Sequence, residues 1–477
     1  MGEERQALER ALVHALDFLG TLETRPVAAT ATAEELRRAL VGPLPVGGTP
    51  ARQVVDELVA GAAGGLTGSQ CGRFFGWVIG GSLPSAMAAD WLTAAWDQNA
   101  GIHAASPAAS VAEEVAGAWL KELFGLPPGC GFGLVTGTQM AHVTCLAAAR
   151  HALLARQGWD VERRGLQGAP RLRVLASADR HGTVDRALRL LGMGTEAIEP
   201  LPVDQAGRVR GPVLAEALSR STDPALVVLQ AGELNTGAFD PFEELVPVAR
   251  DAGAWLHVDG AFGLWARVSP VHAHRVRGVE RCDSWTTDGH KVLSVPYDCG
   301  FAFVRDAAAH RAAMTLATSY LPAASQARDA LDWNPEFSRR ARAFPVYAAL
   351  RELGREGLAS LVERLCRHAQ ALAWGLGELP GAELLSAQGF NQALVRFRAP
   401  GAGPAAPDHD RRTDTVIAAI NASGEALFGG VTWRGRRAMR VSVSNWRTSE
   451  ADVERAVAAA RRALAATSVV PPGTSGA

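Results

Sequence analysis

Leu8, Leu12, Leu16 and Leu19 recur every three or four residues near the start of the chain. That spacing predicts an amphipathic helix over residues 2–22. The pattern stops at "VGPLPVGGTP" (41–50), where clustered glycine and proline mark a loop or linker. Helical "VAEEVAGAWLKELFG" (111–125) then leads into glycine-rich "GCGFGLVTG" and helical "MAHVTCLAAARHALLAR". Short apolar runs follow, "LRVLAS", "ALVVLQAG", "AWLHVDGA" and "CGFAFV", mostly separated by helical or loop segments. Strands alternating with helices predict an α/β fold with a mainly parallel sheet covered on both faces. After "FPVYAALRELGREG" the pattern changes. "ALVRFR" and "AMRVSVSN" predict strands of a smaller sheet. "SEADVERAVAAARRALAA" predicts a closing helix with Ser449 and Asp452 as its capping box. The end, "VVPPGTSGA", reads as a loose tail, and no internal repeat is visible.

Composition narrows the function classes. The chain has 477 residues, 48% of them hydrophobic and 20% charged, enough for a large core and more than one domain. A formal net charge of −1 gives no electrostatic case for nucleic acid or an anionic membrane. No apolar run approaches the roughly 18 residues of a membrane span. The charged start "MGEERQALER" lacks the basic-then-apolar order of a signal peptide. Six scattered cysteines contain no CxxC pair, so reduced thiols in a cytoplasmic protein with no metal site are expected.

Five stretches carry candidate chemistry. In "TTDGHKVLSVPYDCG", Lys291 is followed by small and apolar residues. A desolvated lysine can attack a carbonyl and form a Schiff base, although an isolated lysine is more often a surface residue. Asp259 ends the apolar run "AWLHVD", where a parallel strand delivers side chains to the ligand-facing edge of a sheet. A carboxylate there can hold a pyridinium nitrogen protonated, or it can simply cap a turn. "GFGLVTGTQMAH" places a glycine turn before a helix whose free N–H groups suit a phosphate, with Thr138 and Gln139 as side-chain donors. It fits neither the dinucleotide fingerprint nor a Walker loop. His181 lies just past a strand, able to stack on a flat ring or to stay a loop histidine. Asn235, in "LNTGAFDPFEEL", can face a cofactor or hold its turn. One ligand uses a phosphate loop, a stacking imidazole, a ring-nitrogen carboxylate and a lysine together: pyridoxal 5′-phosphate.

Over residues 70–465 the chain resembles the group II pyridoxal-phosphate-dependent decarboxylases, which include aromatic amino acid, histidine and glutamate decarboxylases. The specific match is "SWTTDGHKVLSVPYDCG"; "WLHVDGAFG", "NTGAFDP", "NPEFSRRARAFPVYAALRELG" and "MRVSVSNWRTSEADV" also read like family blocks. The resemblance implies fold type I, the aspartate-aminotransferase-like α/β architecture with a smaller C-terminal α+β domain. It also implies a homodimer with a shared active site. The expected division is 1–75 as a helical segment wrapping the partner, 76–340 as the large cofactor-binding domain and 341–477 as the small domain. By the same resemblance Lys291 holds the cofactor, Asp259 pairs with its ring nitrogen, His181 stacks on one face and Ala261 lies against the other. Thr138, Gln139, Asp288 and His290 fall where the family binds phosphate or positions the lysine. Trp77 and Val78, in "FFGWVIGGSLPS", fall where it lines the substrate pocket.

Departures from the family pattern bear on the reaction. The family's aromatic decarboxylases carry a mobile-loop tyrosine three residues before a tryptophan. Aligning that tryptophan with Trp333 puts Ala330 at the tyrosine position, with Tyr320 reachable only by a shifted loop. Cys71 and Gly72 replace the histidine and proline usual near the pocket block. Gln139, His142 and Val292 stand where serine or threonine, asparagine and tryptophan are common. The expected function is decarboxylation of an L-amino acid with an aromatic or apolar side chain. The alternative is other chemistry on the same cofactor: oxidative deamination to an aldehyde, transamination or a carbon–carbon bond reaction.

Overall fold

The computed structural model describes residues 2–315, 327–386, 389–403 and 406–467. Tyr320 and the tail at 469–477 lie outside the described residues. Contacts divide the chain into two compact units, one of residues 80–370 and 386–393, the other of residues 1–79, 371–385 and 394–477. Their limits differ from those expected from sequence. Residues 1–79 group with the C-terminal segments, and residues 341–370 group with the large sheet.

The larger unit is built on a seven-stranded sheet: β1 (Gly131–Val135), β2 (Arg173–Ser177), β3 (Ile198–Leu201), β4 (Ala225–Gln230), β5 (Trp255–Asp259), β6 (Ser284–Asp288) and β7 (Gly300–Val304). Their order is β1-β7-β6-β5-β4-β2-β3. The β3-β2-β4-β5-β6 stretch is parallel, and β7 runs antiparallel to both neighbours. The sheet is thus mainly parallel, as its near-continuous apolar runs predict for strands buried on both faces. One core cluster joins Val174, Ala176, Leu226, Val228 and Trp255 of the sheet to Ala141, Cys145, Ala148 and Ala149 of the helix Thr138–Ala155. Small side chains on that helix let it approach the strands closely.

Strand β6, "SWTTD", escapes the apolar-run search because only Trp285 is apolar. Its threonines are nonetheless buried. Thr286 Oγ1 donates to Val258 O at 3.2 Å and Thr287 Oγ1 to Ala261 O at 3.3 Å, so their hydroxyls are satisfied by backbone.

The second unit contains the expected small sheet, β8 (Ala382–Ser386), β9 (Gln392–Phe397), β10 (Gly429–Trp433) and β11 (Arg436–Ser442), in the order β10-β11-β9-β8. Strands β10 and β11 form a hairpin whose two turn residues, Arg434 and Gly435, have φ of 49° and 74°. The closing helix Glu450–Thr467 begins with the expected capping box. Asp452 N donates to Ser449 Oγ at 3.2 Å, and Ser449 N to Asp452 Oδ2 at 3.0 Å. The first helix spans Glu3–Gly20 and packs on the helix Ala51–Ala62. Its predicted apolar stripe stays largely uncovered in the single chain, with Leu8 63% and Leu16 58% exposed.

Candidate active site

Strands β1, β4, β5 and β6 run the same way, so their C-terminal ends share one edge of the sheet. Gln230 lies opposite Asp259, and Asp259 opposite Thr286. Ligands of parallel α/β sheets bind beyond this edge. A cavity of about 340 Å³ opens there. Its walls include Thr138, Gln139, His181, Asp259, Ala261, Asp288, His290 and Lys291, eight of the positions singled out in the sequence.

Lys291 follows β6 in a tight turn and is mostly buried, its side chain 18% exposed. Nζ lies 2.8 Å from Asp288 Oδ2. Asp288 Oδ1 accepts the Thr138 backbone N–H at 2.6 Å, so this carboxylate ties the lysine turn to the start of the helix Thr138–Ala155. Burial opposes the charge on Asp288. Lys291, His290 and Thr138 outweigh it and hold its carboxyl below the usual range. Burial pulls the His290 imidazole down despite the nearby Asp288. Tyr297 stacks on His290 with ring centroids 4.2 Å apart. Gly80 approaches the turn from outside, its N–H donating to His290 O at 3.3 Å. A Cβ there would overlap the carbonyl oxygen of Lys291.

Asp259 is buried at the end of β5. Oδ1 accepts the Ala261 N–H at 3.2 Å, and Oδ2 lies 3.5 Å from His142 Nε2. Burial again opposes the charge, but His142, His181 and Lys291 together keep the carboxyl well below its ordinary range. His181 caps the helix Gly182–Leu190, its Nδ1 accepting the Thr183 N–H at 3.3 Å, and its ring is exposed at the cavity. Gln139 Nε2 donates to Thr183 O at 3.2 Å.

Other expected positions fall elsewhere. Asn235 is not in the cavity wall; its neighbour Leu234 is. The Asn235 amide donates to Glu233 Oε1 at 2.8 Å, within a turn that Glu233 also ties to Thr236. Trp77 and Val78 belong to the other unit, where Val78 is buried and Trp77, at φ 51°, stacks on Phe74. Ala330 is packed inside a short turn, Ala330–Asp332, and its carbonyl accepts Asn334 Nδ2 at 2.7 Å. The wall also holds residues that were not anticipated, among them Tyr297, Gln230 and Phe262. Tyr297 lies within the lysine signature, so its place in sequence was the available signal.

The residues present fit pyridoxal phosphate. Thr138 Oγ1 and Gln230 Nε2 are buried polar atoms with no hydrogen-bond partner among the described residues, and both residues line the cavity. A Cβ at Gly137 would come 3.2 Å from His290 Cε1 and 3.4 Å from Asp288 Oδ1, so a side chain there would crowd the cradle at the helix start. Lys291 supplies an amine, Asp259 an anion and His181 an exposed ring.

Comparison with known proteins agrees. The pyridoxal-dependent decarboxylase conserved domain matches residues 44–399. Tryptophan decarboxylase 1 of Oryza sativa subsp. japonica is 28% identical over 471 residues, spanning 92% of this chain and 90% of that one. Phenylacetaldehyde synthase of Arabidopsis thaliana is 26% identical over 460 residues, spanning 92% and 91%. The crystal structure of Oryza sativa TDC with PLP and tryptamine matches with a TM-score of 0.90 at 25% identity, covering 98% of each chain.

Proposed function

The chain belongs to the pyridoxal-dependent decarboxylase family, carboxy-lyases of fold type I that use pyridoxal phosphate, and from that premise we propose that it decarboxylates an L-amino acid with an aromatic or apolar side chain. The observation that carries this reading is the shared cavity wall of a buried lysine, Lys291, and a carboxylate held as its anion, Asp259. When bound, pyridoxal phosphate supplies an aldehyde that captures amines and a ring that accepts an electron pair.

The chain's own groups do the rest. Lys291 offers the amine that tethers the cofactor. Asp288 holds that amine at 2.8 Å and keeps it aimed into the cavity. The start of the helix Thr138–Ala155, with the Thr138 hydroxyl, would receive the phosphate. Asp259 would keep the ring nitrogen protonated, and Ala261 and His181, both in the cavity wall, would flank the ring. Returning a proton to the substrate α-carbon needs an acid. His181, exposed at the cavity, fills that role, directly or through water.

A second reading has its own support: Ala330 at the aligned loop position and a relative named phenylacetaldehyde synthase. On that reading the same site, with O2 as oxidant reduced to hydrogen peroxide, converts an aromatic amino acid to an aldehyde, CO2 and ammonia. A panel of L-amino acids, with products identified by mass spectrometry, separates the two. Amine and CO2 in equal amounts support decarboxylation alone; aldehyde with ammonia supports the second reading. The absence of CO2 from every amino acid tried contradicts the first.

We also propose a homodimer. The exposed apolar stripe Leu8, Leu12 and Leu16 of the first helix suits burial against a second copy of this chain.

A further inference from the structure

Asp259 is one end of a buried chain of five side chains. His142 Nε2 stands 3.5 Å from Asp259 Oδ2, and His142 Nδ1 is 2.9 Å from His257 Nε2. His257 Nδ1 is 2.8 Å from Ser284 Oγ, which also receives the Trp255 indole N–H at 3.0 Å. His142, His257, Ser284 and Trp255 are buried, and none of them lines the cavity. The sequence "WLHVD" explains the assembly. Residues 255, 257 and 259 alternate along β5 and share one face of the sheet. Ser284 pairs with His257 in the next strand, and His142 comes from the helix Thr138–Ala155.

The two ends are compatible with one direction along the chain. An indole N–H only donates, and a carboxylate only accepts. The arrangement we infer puts the indole hydrogen on Ser284 Oγ and the serine's own hydrogen on His257 Nδ1. Burial keeps the His257 imidazole neutral, its pKa well below the ordinary value. Its one hydrogen therefore sits on Nε2 and goes to His142 Nδ1, and His142 presents Nε2–H to Asp259. Ser284 and His257 each donate once and accept once, and His142 accepts from His257 and turns Nε2 toward Asp259 Oδ2, 3.5 Å away.

We propose that His142 and His257 are positioning residues, which hold the Asp259 carboxylate through this oriented chain as the partner of the cofactor's ring nitrogen. The proposal rests on reading the cavity as the pyridoxal phosphate site. Asp259 Oδ1 is independently fixed by the Ala261 N–H, and Oδ2 faces the His142 imidazole at 3.5 Å, so each oxygen has a neighbour and keeps lone pairs for the ring. A side chain that only filled space between helix and sheet would stabilise the fold without acting on the ring nitrogen.

The test compares pyridoxal phosphate with its deaza analogue, in which carbon replaces the ring nitrogen, binding to the cofactor-free protein. The unmutated protein is expected to prefer pyridoxal phosphate by about tenfold or more, the scale of one charge-assisted hydrogen bond. His142→Phe reduces that preference to about twofold while leaving affinity for the deaza analogue within about twofold, and His257→Gln moves it the same way by a smaller factor. Equal weakening toward both compounds, or an unchanged preference, overturns the proposal. Should His142→Phe fail to fold, the ring 15N signals of the unmutated protein decide. Both histidines carrying hydrogen on Nε2 supports the chain, and Nδ1–H on either overturns it. Failure of the unmutated protein to bind pyridoxal phosphate at all would instead sink the cofactor reading.

Discussion

Lys291 reaches the cavity already engaged, its ammonium 2.8 Å from the Asp288 carboxylate, which in turn holds the Thr138 N–H. A lysine carried this far inside needs such a partner, because an unpaired buried charge is costly. Lys291→Ala is expected to abolish covalent cofactor capture and to lower turnover by about a thousandfold or more, measured by steady-state assay with the protein still folded. Asp259→Asn is expected to keep Lys291 reactive yet cut turnover about a hundredfold, because the ring nitrogen loses its anion. Asp259 and Asp288 also set a pH dependence. Both have folded pKa values below the unfolded value of about 3.9, so they stabilise the fold at neutral pH and their contribution is lost as pH falls through about 4 toward the folded values. The thermal midpoint should hold steady from pH 8 to 6 and drop below about pH 5, with a shallower drop in Asp288→Asn. A midpoint that rises on acidification would contradict this. Lys291, Asp259, His181, Thr138 and Gln139 stood out because each lies beside an apolar run or glycine turn, whereas Ala261, Asp288 and His290 came only through the family resemblance. Asn235 lies outside the cavity wall, its amide taken by Glu233 two residues before it, a local bond that no run of apolar residues reveals. His142 was legible only as an oddity; its partner His257 is hidden inside an apolar strand.

At the scale of elements, the site depends on close backbone approach. Gly80 touches the lysine turn, and a methyl group there would overlap the Lys291 carbonyl oxygen. Gly80→Ala should therefore destabilise the protein by about 1–3 kcal/mol and weaken cofactor binding, read by denaturant unfolding and by cofactor titration. Unchanged binding would show that the turn tolerates displacement. The mainly parallel sheet was legible from β2, β4 and β5, and its antiparallel strand β7 from a similar apolar run, which reflects burial on both faces. Strands β3 and β6 were not legible. In "IEPL" a glutamate and a proline interrupt the run, and in "SWTTD" threonines bond to neighbouring backbone in place of apolar packing.

For the whole molecule, the first helix leaves Leu8, Leu12 and Leu16 exposed, a stripe that an isolated chain has no reason to keep. Light scattering should give about twice the 50.2 kDa chain mass, and Leu12→Asp with Leu16→Asp should shift it toward one chain. A monomeric unmutated protein would contradict the dimer. The division into units was only partly legible, because residues 1–79 join segments more than 290 positions later, a pairing set by tertiary contacts. The chain contains just two lysines, Lys121 and Lys291, which makes the central claim unusually direct to test. Lys121 is spoken for, its ammonium donating to Pro128 O at 2.7 Å and Cys130 O at 3.2 Å. The decisive measurement is borohydride reduction of the cofactor-loaded protein followed by peptide mapping. The account predicts one phosphopyridoxyl group per chain, on Lys291. A label on Lys121, or none on either lysine, would contradict it.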